Sequence, residues 1–169
     1  MASQPDSEPQ AGRPQMPGYG IADANSGSGL LPWNWVVERL QKARSYWIST
    51  TRPDGRPHAM PVWGAWYDNQ FYFSTGRESR KARNLAVNAH CIVSIDSGNE
   101  PVIVEGIACE TDAAVLPDRV AESYLAKYEW QLDPNLGPVF AVRPRVVIAF
   151  NGNDGEFTRS ATRWKFEDL

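Results

Sequence analysis

The sequence predicts a mainly β fold, an antiparallel β-barrel of six to seven strands with helices at its edges. Short runs rich in Val, Ile, Thr, Tyr, Phe and Trp recur along the chain, and most are joined by tight-turn residues. Only two helical patterns interrupt them. A 42% hydrophobic and 22% charged composition over 169 residues suits one domain with one real core and argues against a second.

Residues 1–30 are rich in Pro, Gly, Ser, Gln and Ala, with almost no aliphatic side chain before Leu30. Such a segment cannot bury enough surface to offset its ordering entropy, so it is expected to be a disordered tail preceding a folded domain over 31–169. Pro32 suits a helix's first turn, and Trp35, Val36, Leu40 and Ala43 follow at helical spacing. Two strand-like runs, 46–51 and 57–63, flank Pro53-Asp54-Gly55-Arg56 and predict a hairpin. A turn at Asp68-Asn69 leads into 70–74, giving a three-stranded meander. Pro61 cannot donate to a ladder, so its strand is expected at an edge, at a bulge or beside a ligand.

A helix is expected from Ser79 to about Asn88, with Ala82, Leu85 and Ala86 on one side and Arg80, Lys81 and Arg83 on the other. Thr75-x-x-Glu78 has the spacing of a capping box. Strands follow at 90–96 and 101–110, a helix at about 117–128, one long strand over 137–150 and a short last one over 162–166. No internal repeat is present.

A net charge of −3 argues against nucleic acid as the main partner. No apolar run reaches membrane-spanning length and the N-terminus lacks a secretory pattern, so a soluble, cytoplasmic protein is expected. Cys91 and Cys109 each sit in a strand-like apolar run and read as reduced core residues. His58 and His90 are too isolated to suggest a metal site, and none is expected.

The densest chemical signal lies between Phe71 and Leu85, where a strand ends in Ser74-Thr75-Gly76 and a helix opens with Arg80-Lys81. Unsatisfied N–H groups at the helix start, the hydroxyls of Ser74, Thr75 and Ser79, and two full positive charges together make an anion site. A capped helix with a solvated basic face is the alternative reading of the same residues.

The segment Ser74-Thr75-Gly76-Arg77-Glu78-Ser79-Arg80-Lys81, continuing to Leu85, resembles the pyridoxamine 5′-phosphate oxidase-like split barrels, which bind FMN or the deazaflavin coenzyme F420. The resemblance extends over residues 33–166 and implies an FMN-binding type of split β-barrel. It implies that Ser74, Thr75, Ser79, Arg80 and Lys81 hold the cofactor's phosphate and nearby polar atoms. The segment Arg56–Gly64, the run Lys81–Leu85 and the ending Thr162–Phe166 are more similar to the F420-dependent branch. The oxidase carries Arg and Lys on its second strand where this chain has Met60 and Ala65, and its basic Arg-x-His ending is missing. Both departures count against a vitamin B6 oxidase.

A tricyclic ring needs flat apolar walls and a few polar contacts at one edge, which Met60, Pro61, Val62 and Trp63 can supply. The resemblance implies hydride transfer from reduced F420 to a small unsaturated or conjugated substrate. An FMN-dependent oxidase or reductase and a non-catalytic flavin- or haem-binding module are the alternatives. No catalytic side chain is assigned; His58 and Tyr72 are the candidate proton donors. Arg77, Arg83 and Arg163 are available to the acidic tail of F420. The family likeness and the abundance of tryptophan, with Trp33, Trp47, Trp63, Trp66 and Trp130 near element ends or on strands, imply a homodimer; for Trp66, core or dimer packing is preferred to a place at the ring.

Overall fold

The computed structural model describes residues 8–21, 28–112, 115–133, 135–153 and 155–167. The chain runs β1 (Gln10–Gly12), α1 (Trp33–Lys42), β2 (Tyr46–Thr51), β3 (Pro57–Val62), β4 (Ala65–Tyr67), β5 (Gln70–Ser74) and α2 (Arg80–Val87). It continues with β6 (His90–Ile95), β7 (Val102–Thr111), α3 (Asp118–Tyr128), β8 (Val139–Ala149), α4 (Phe157–Ser160) and β9 (Thr162–Lys165). The mainly β, antiparallel class is as the sequence predicts. Among the described residues the strands number nine rather than six or seven, because β1 and β4, each three residues long, are too short to leave a periodic signal.

The strands are ordered β1-β9-β8-β7-β6-β2-β3, with β5 joined to β8 and β4 to β5. The split in the barrel lies along β8. Residues 139–142 of β8 pair with β5, whereas residues 146–149 pair with β9 on the same edge. Pro144, which has no N–H to offer, falls in the gap, and the β7 ladder slips opposite it between Glu105 and Gly106. A Cβ on Gly106 would lie 2.6 Å from the Arg143 carbonyl oxygen, so only glycine lets the strands approach there. The sheet does not close, since β3 pairs only with β2.

Two expectations for this region change. The third strand of the meander pairs with β4 and β8, not with β3, because Asp68 (φ 48°) and Asn69 (φ 53°) close a tight hairpin from β4 into β5. Part of the segment expected to be a disordered tail is built into the fold. Gln10–Gly12 add to β9, and Arg13 is buried, donating to the carbonyl oxygens of Ala161 at 2.9 Å and Ser28 at 2.6 Å. Composition concealed this because backbone pairing and one buried guanidinium, rather than aliphatic burial, hold the segment.

The main core lies between α1 and one face of the sheet, built from Val36, Leu40, Tyr46, Ile48, Trp66, Phe71, Phe73, Val104, Val142 and Trp164. Trp66 is 3% exposed and meets Trp33 edge to face, which settles it as a core residue. Cys91 is buried, and burial pushes its thiol up to about 12, where it is unreactive. Cys109 is not a core residue: the alternation of β7 turns it outward and it is exposed.

A smaller cluster of Ala65, Tyr72, Val120, Tyr124 and Ala141 seats α3 on the other face of β4, β5 and β8. Lys127 of α3 reaches in beside it, donating to the Ala43 oxygen at 3.0 Å and the Tyr46 hydroxyl at 2.8 Å. Burial, then the charge of Arg44, lowers its pKa to about 8. The unfolded value is near ~10.4, so between those two values the unfolded chain holds more protons and stability rises with pH. Below pH 8 both states are protonated and the gain is absent. From about pH 7.5 to about pH 9, the wild type is expected to gain about 1 kcal/mol relative to Lys127→Met in urea unfolding. Parallel curves for the two proteins would show that Lys127 is solvated.

Candidate functional site

The site is the groove where the end of β3 faces the end of β5 and the start of α2. Its volume is about 270 Å³, and Pro61, Val62, Trp63, Ser74, Thr75, Gly76, Lys81, Tyr124, Trp130, Leu132, Asp133 and Leu136 line it. Six of the nine residues singled out from the sequence therefore meet here: Pro61, Val62, Trp63, Ser74, Thr75 and Lys81. Met60, Ser79 and Arg80 are not among the lining residues. Met60 faces the same side of β3 as Val62 but is 44% exposed at the open edge. Arg80 is exposed at the first position of α2.

Ser79, rather than the expected Thr75, is the N-cap of α2. Its Oγ accepts from the Ala82 N–H at 3.2 Å and from Thr75 Oγ1 at 3.1 Å. The Thr75-x-x-Glu78 box does not form because the helix opens one turn later than that spacing assumes. The loop between β5 and α2 is fixed from behind, where the Thr75 N–H donates to the Pro138 oxygen and a Cβ on Gly137 would lie 2.3 Å from the Thr75 oxygen. Gly137 thus sets how deep the hydroxyl loop sits.

Helix α3 positions the facing wall, and its two tyrosines left no signal beyond their spacing in the sequence. The Tyr124 hydroxyl donates to the Trp63 carbonyl at 2.9 Å and is also bonded by the Ser74 backbone, so it ties both walls together. The Tyr128 hydroxyl donates to the Gly64 carbonyl at 2.9 Å, and its ring stacks on Trp63 at 4.7 Å and 5°. The loop after α3 adds Trp130, Leu132 and Leu136, of which Trp130 is 53% exposed.

The polar end of the groove is basic. Lys81 makes no salt bridge among the described residues, and burial lowers its pKa. Asp133, the one carboxylate among the described lining residues, is engaged in its own loop, accepting from the N–H and Nδ2 of Asn135 at 2.8 Å. Arg77 is turned away into an ion pair with Glu110 at 2.8 Å. Tyr72 faces the α3 cluster, outside the groove lining. His58 lies on β3 opposite Thr50, and its pKa is lowered by burial and then by the charges of Arg52, Lys81 and Arg80.

No cluster of His, Cys, Asp and Glu suited to a metal ion occurs among the described residues. No described helix is long and apolar enough to cross a membrane.

Residues 35–156 match the family described as Pyridoxamine 5′-phosphate oxidase. No curated protein matches the chain. Among solved structures the fold is similar to an F420 reductase, with a TM-score of 0.52 and 23% identity over 65% of this chain and 93% of that one. It is also similar to an FAD-binding protein from Mesorhizobium loti, with a TM-score of 0.56 and 16% identity over 79% and 94% of the two chains. A heme storage protein from Vibrio cholerae aligns with a TM-score of 0.54 and 16% identity over 63% of this chain and 85% of that one. At these identities the likeness is one of fold.

Proposed function

Because the chain belongs to the pyridoxamine 5′-phosphate oxidase family, we propose that its groove holds a flavin-type cofactor, and specifically reduced F420 as hydride donor to a small unsaturated or conjugated substrate. One observation carries the reading: a basic, hydroxyl-bearing loop and an apolar strand end, Pro61–Trp63, face each other across one groove. That pairing suits a ligand with an anionic end and a flat apolar body.

The residues present fit such a group. Lys81 has a desolvated ammonium and no carboxylate partner among the described residues, so an entering phosphate supplies the missing counter-charge. Ser74 and Thr75 offer hydroxyls at the same end, and Arg80 adds a second charge just outside it. Pro61, Val62 and Trp63 form the apolar wall, with Met60 at its open rim. When bound, the cofactor supplies the hydride chemistry itself. The protein's part is to orient the two reactants and exclude water, which requires no side-chain nucleophile.

Fluorescence titration with F420 and FMN, followed by turnover against enones and quinones, tests the reading. Saturable F420 binding with cofactor oxidation coupled to substrate reduction is expected. Tight FMN binding without F420 binding would move the protein to the FMN-dependent alternative, and binding of either cofactor without turnover would make it a carrier.

The same reading includes a homodimer. The register places Trp47, Ala59, Pro61 and Ile92 on the face of the sheet away from the core, where Trp47 is 41% and Ile92 39% exposed. A second copy of the chain covers this apolar face and closes the groove beside Trp63 and Trp130. Light scattering across a dilution series is expected to give twice the 18.9 kDa chain mass. A concentration-independent single-chain mass with unchanged cofactor affinity would exclude it.

A further inference from the structure

Several buried polar atoms without partners gather at one place beside the groove. Among the described residues, Arg52 Nε is a donor without an acceptor, Asn84 Oδ1 is an acceptor without a donor, and His58 Nδ1 has neither. They surround Thr50, which is opposite His58 in the ladder and accepts from Asn84 Nδ2 at 3.0 Å. Asn84 is fully buried on α2, one turn beyond Arg80 and Lys81. Buried orphans are rare in folded proteins, so a cluster of them marks a place where something outside the chain completes the bonding.

The charges that act on His58 are all positive. Arg52 from the end of β2 and Arg80 and Lys81 from α2 all act on His58. The nearest turn contributes Asp54, which is paired with Arg56 at 2.8 Å and, more weakly, feels the charge of Arg52. Cations held this close repel one another and are stabilised by an anion among them.

We infer that Arg52 and His58 complete, with Arg80 and Lys81, a pocket for the cofactor's phosphate, and that His58 takes up one proton from solvent as the anion enters. This rests on the flavin-type reading of the groove. The free imidazole is neutral near pH 7, since burial and the three cations disfavour its charged form. A phosphate reverses that balance, and protonation gives the imidazole a second N–H to donate. Anion affinity therefore falls as pH rises between the free and the bound titration midpoints of His58.

The chain has two histidines, so imidazole NMR of the full-length protein reads His58 directly, with His58→Gln for assignment and His90 as internal reference. Each pH titration is run without anion and with saturating sulfate, FMN or F420; sulfate keeps its full charge across the range. The His58 midpoint is expected to rise by about one pH unit or more with the anion. Arg52→Ala is expected to weaken sulfate binding about tenfold at unchanged melting temperature. A His58 midpoint that stays put while FMN or F420 saturates the protein overturns this inference and leaves the flavin reading intact. A midpoint that sulfate raises in a protein binding neither cofactor supports the anion pocket and overturns the flavin reading.

Discussion

Arg80→Ala/Lys81→Ala is expected to weaken cofactor binding by about 2–4 kcal/mol, roughly 30- to 1,000-fold, if each residue gives one charge-assisted bond to phosphate. The fold should not suffer. Both residues lie in the first turn of α2, which contains no acidic side chain, although the helix dipole favours negative charge there. Neither takes part in a salt bridge among the described residues. Two cations placed against the local electrostatic rule cost stability, so removing them is expected to leave the melting temperature unchanged or slightly higher. Lys81→Ala alone should account for the larger share, because Lys81 lines the groove while Arg80 is exposed beside it. Affinity in the double variant equal to that of wild type would place the phosphate elsewhere.

The basic, hydroxyl-bearing end of this groove was legible in the sequence because its signal is local. Hydroxyls, a glycine and two cations around a helix start declare their chemistry within about one helical turn. Pro61 was legible for a similar reason, since a proline in a strand calls for an edge, a bulge or a ligand beside it, and β3 lies at an edge. The groove's other wall was not. Tyr124 reaches Trp63, and Leu132 lines the same groove, only because α3 packs on β4 and β5, a contact over roughly sixty residues of chain that no periodicity encodes. The N-terminal strand was missed for the opposite reason. It is held by ladder bonds and by Arg13, whose burial resembles solvated polarity when only composition is read. Thr75 and Ser79 could exchange roles at the helix cap because both are good caps, and only the observed helix start at Arg80 decides between them.

Gly64→Ala is expected to be the most damaging single substitution at the site, costing about 3 kcal/mol, the upper end of ordinary overpacking. Gly64 joins β3 to β4 at the point where the chain leaves the sheet edge to form the α3-covered hairpin. A Cβ there would lie 2.1 and 2.4 Å from the Phe71 ring and 2.9 Å from the Tyr72 carbonyl oxygen. The ring has nowhere to retreat: Phe71 is fully buried, packs on Tyr46 at 4.6 Å, and is fixed on β5 opposite Val142. The backbone cannot give way freely either, because the Tyr128 hydroxyl holds both the N–H of Gly64, at 3.0 Å, and its carbonyl, at 2.9 Å. Displacement would carry Trp63 and the groove wall with it, so cofactor affinity should fall together with stability. At ~2–4 °C per kcal/mol for a chain of this size, the melting temperature should drop by about 6–12 °C. Phe71→Leu separates this cause from others. Alone it should cost about 1–2 kcal/mol by opening a cavity, but combined with Gly64→Ala it removes the clashing ring atoms, so the double variant should be more stable than the sum of the two losses allows. Strict additivity, or a melting temperature within about 2 °C of wild type for Gly64→Ala, would show that the Phe71 ring has room to move.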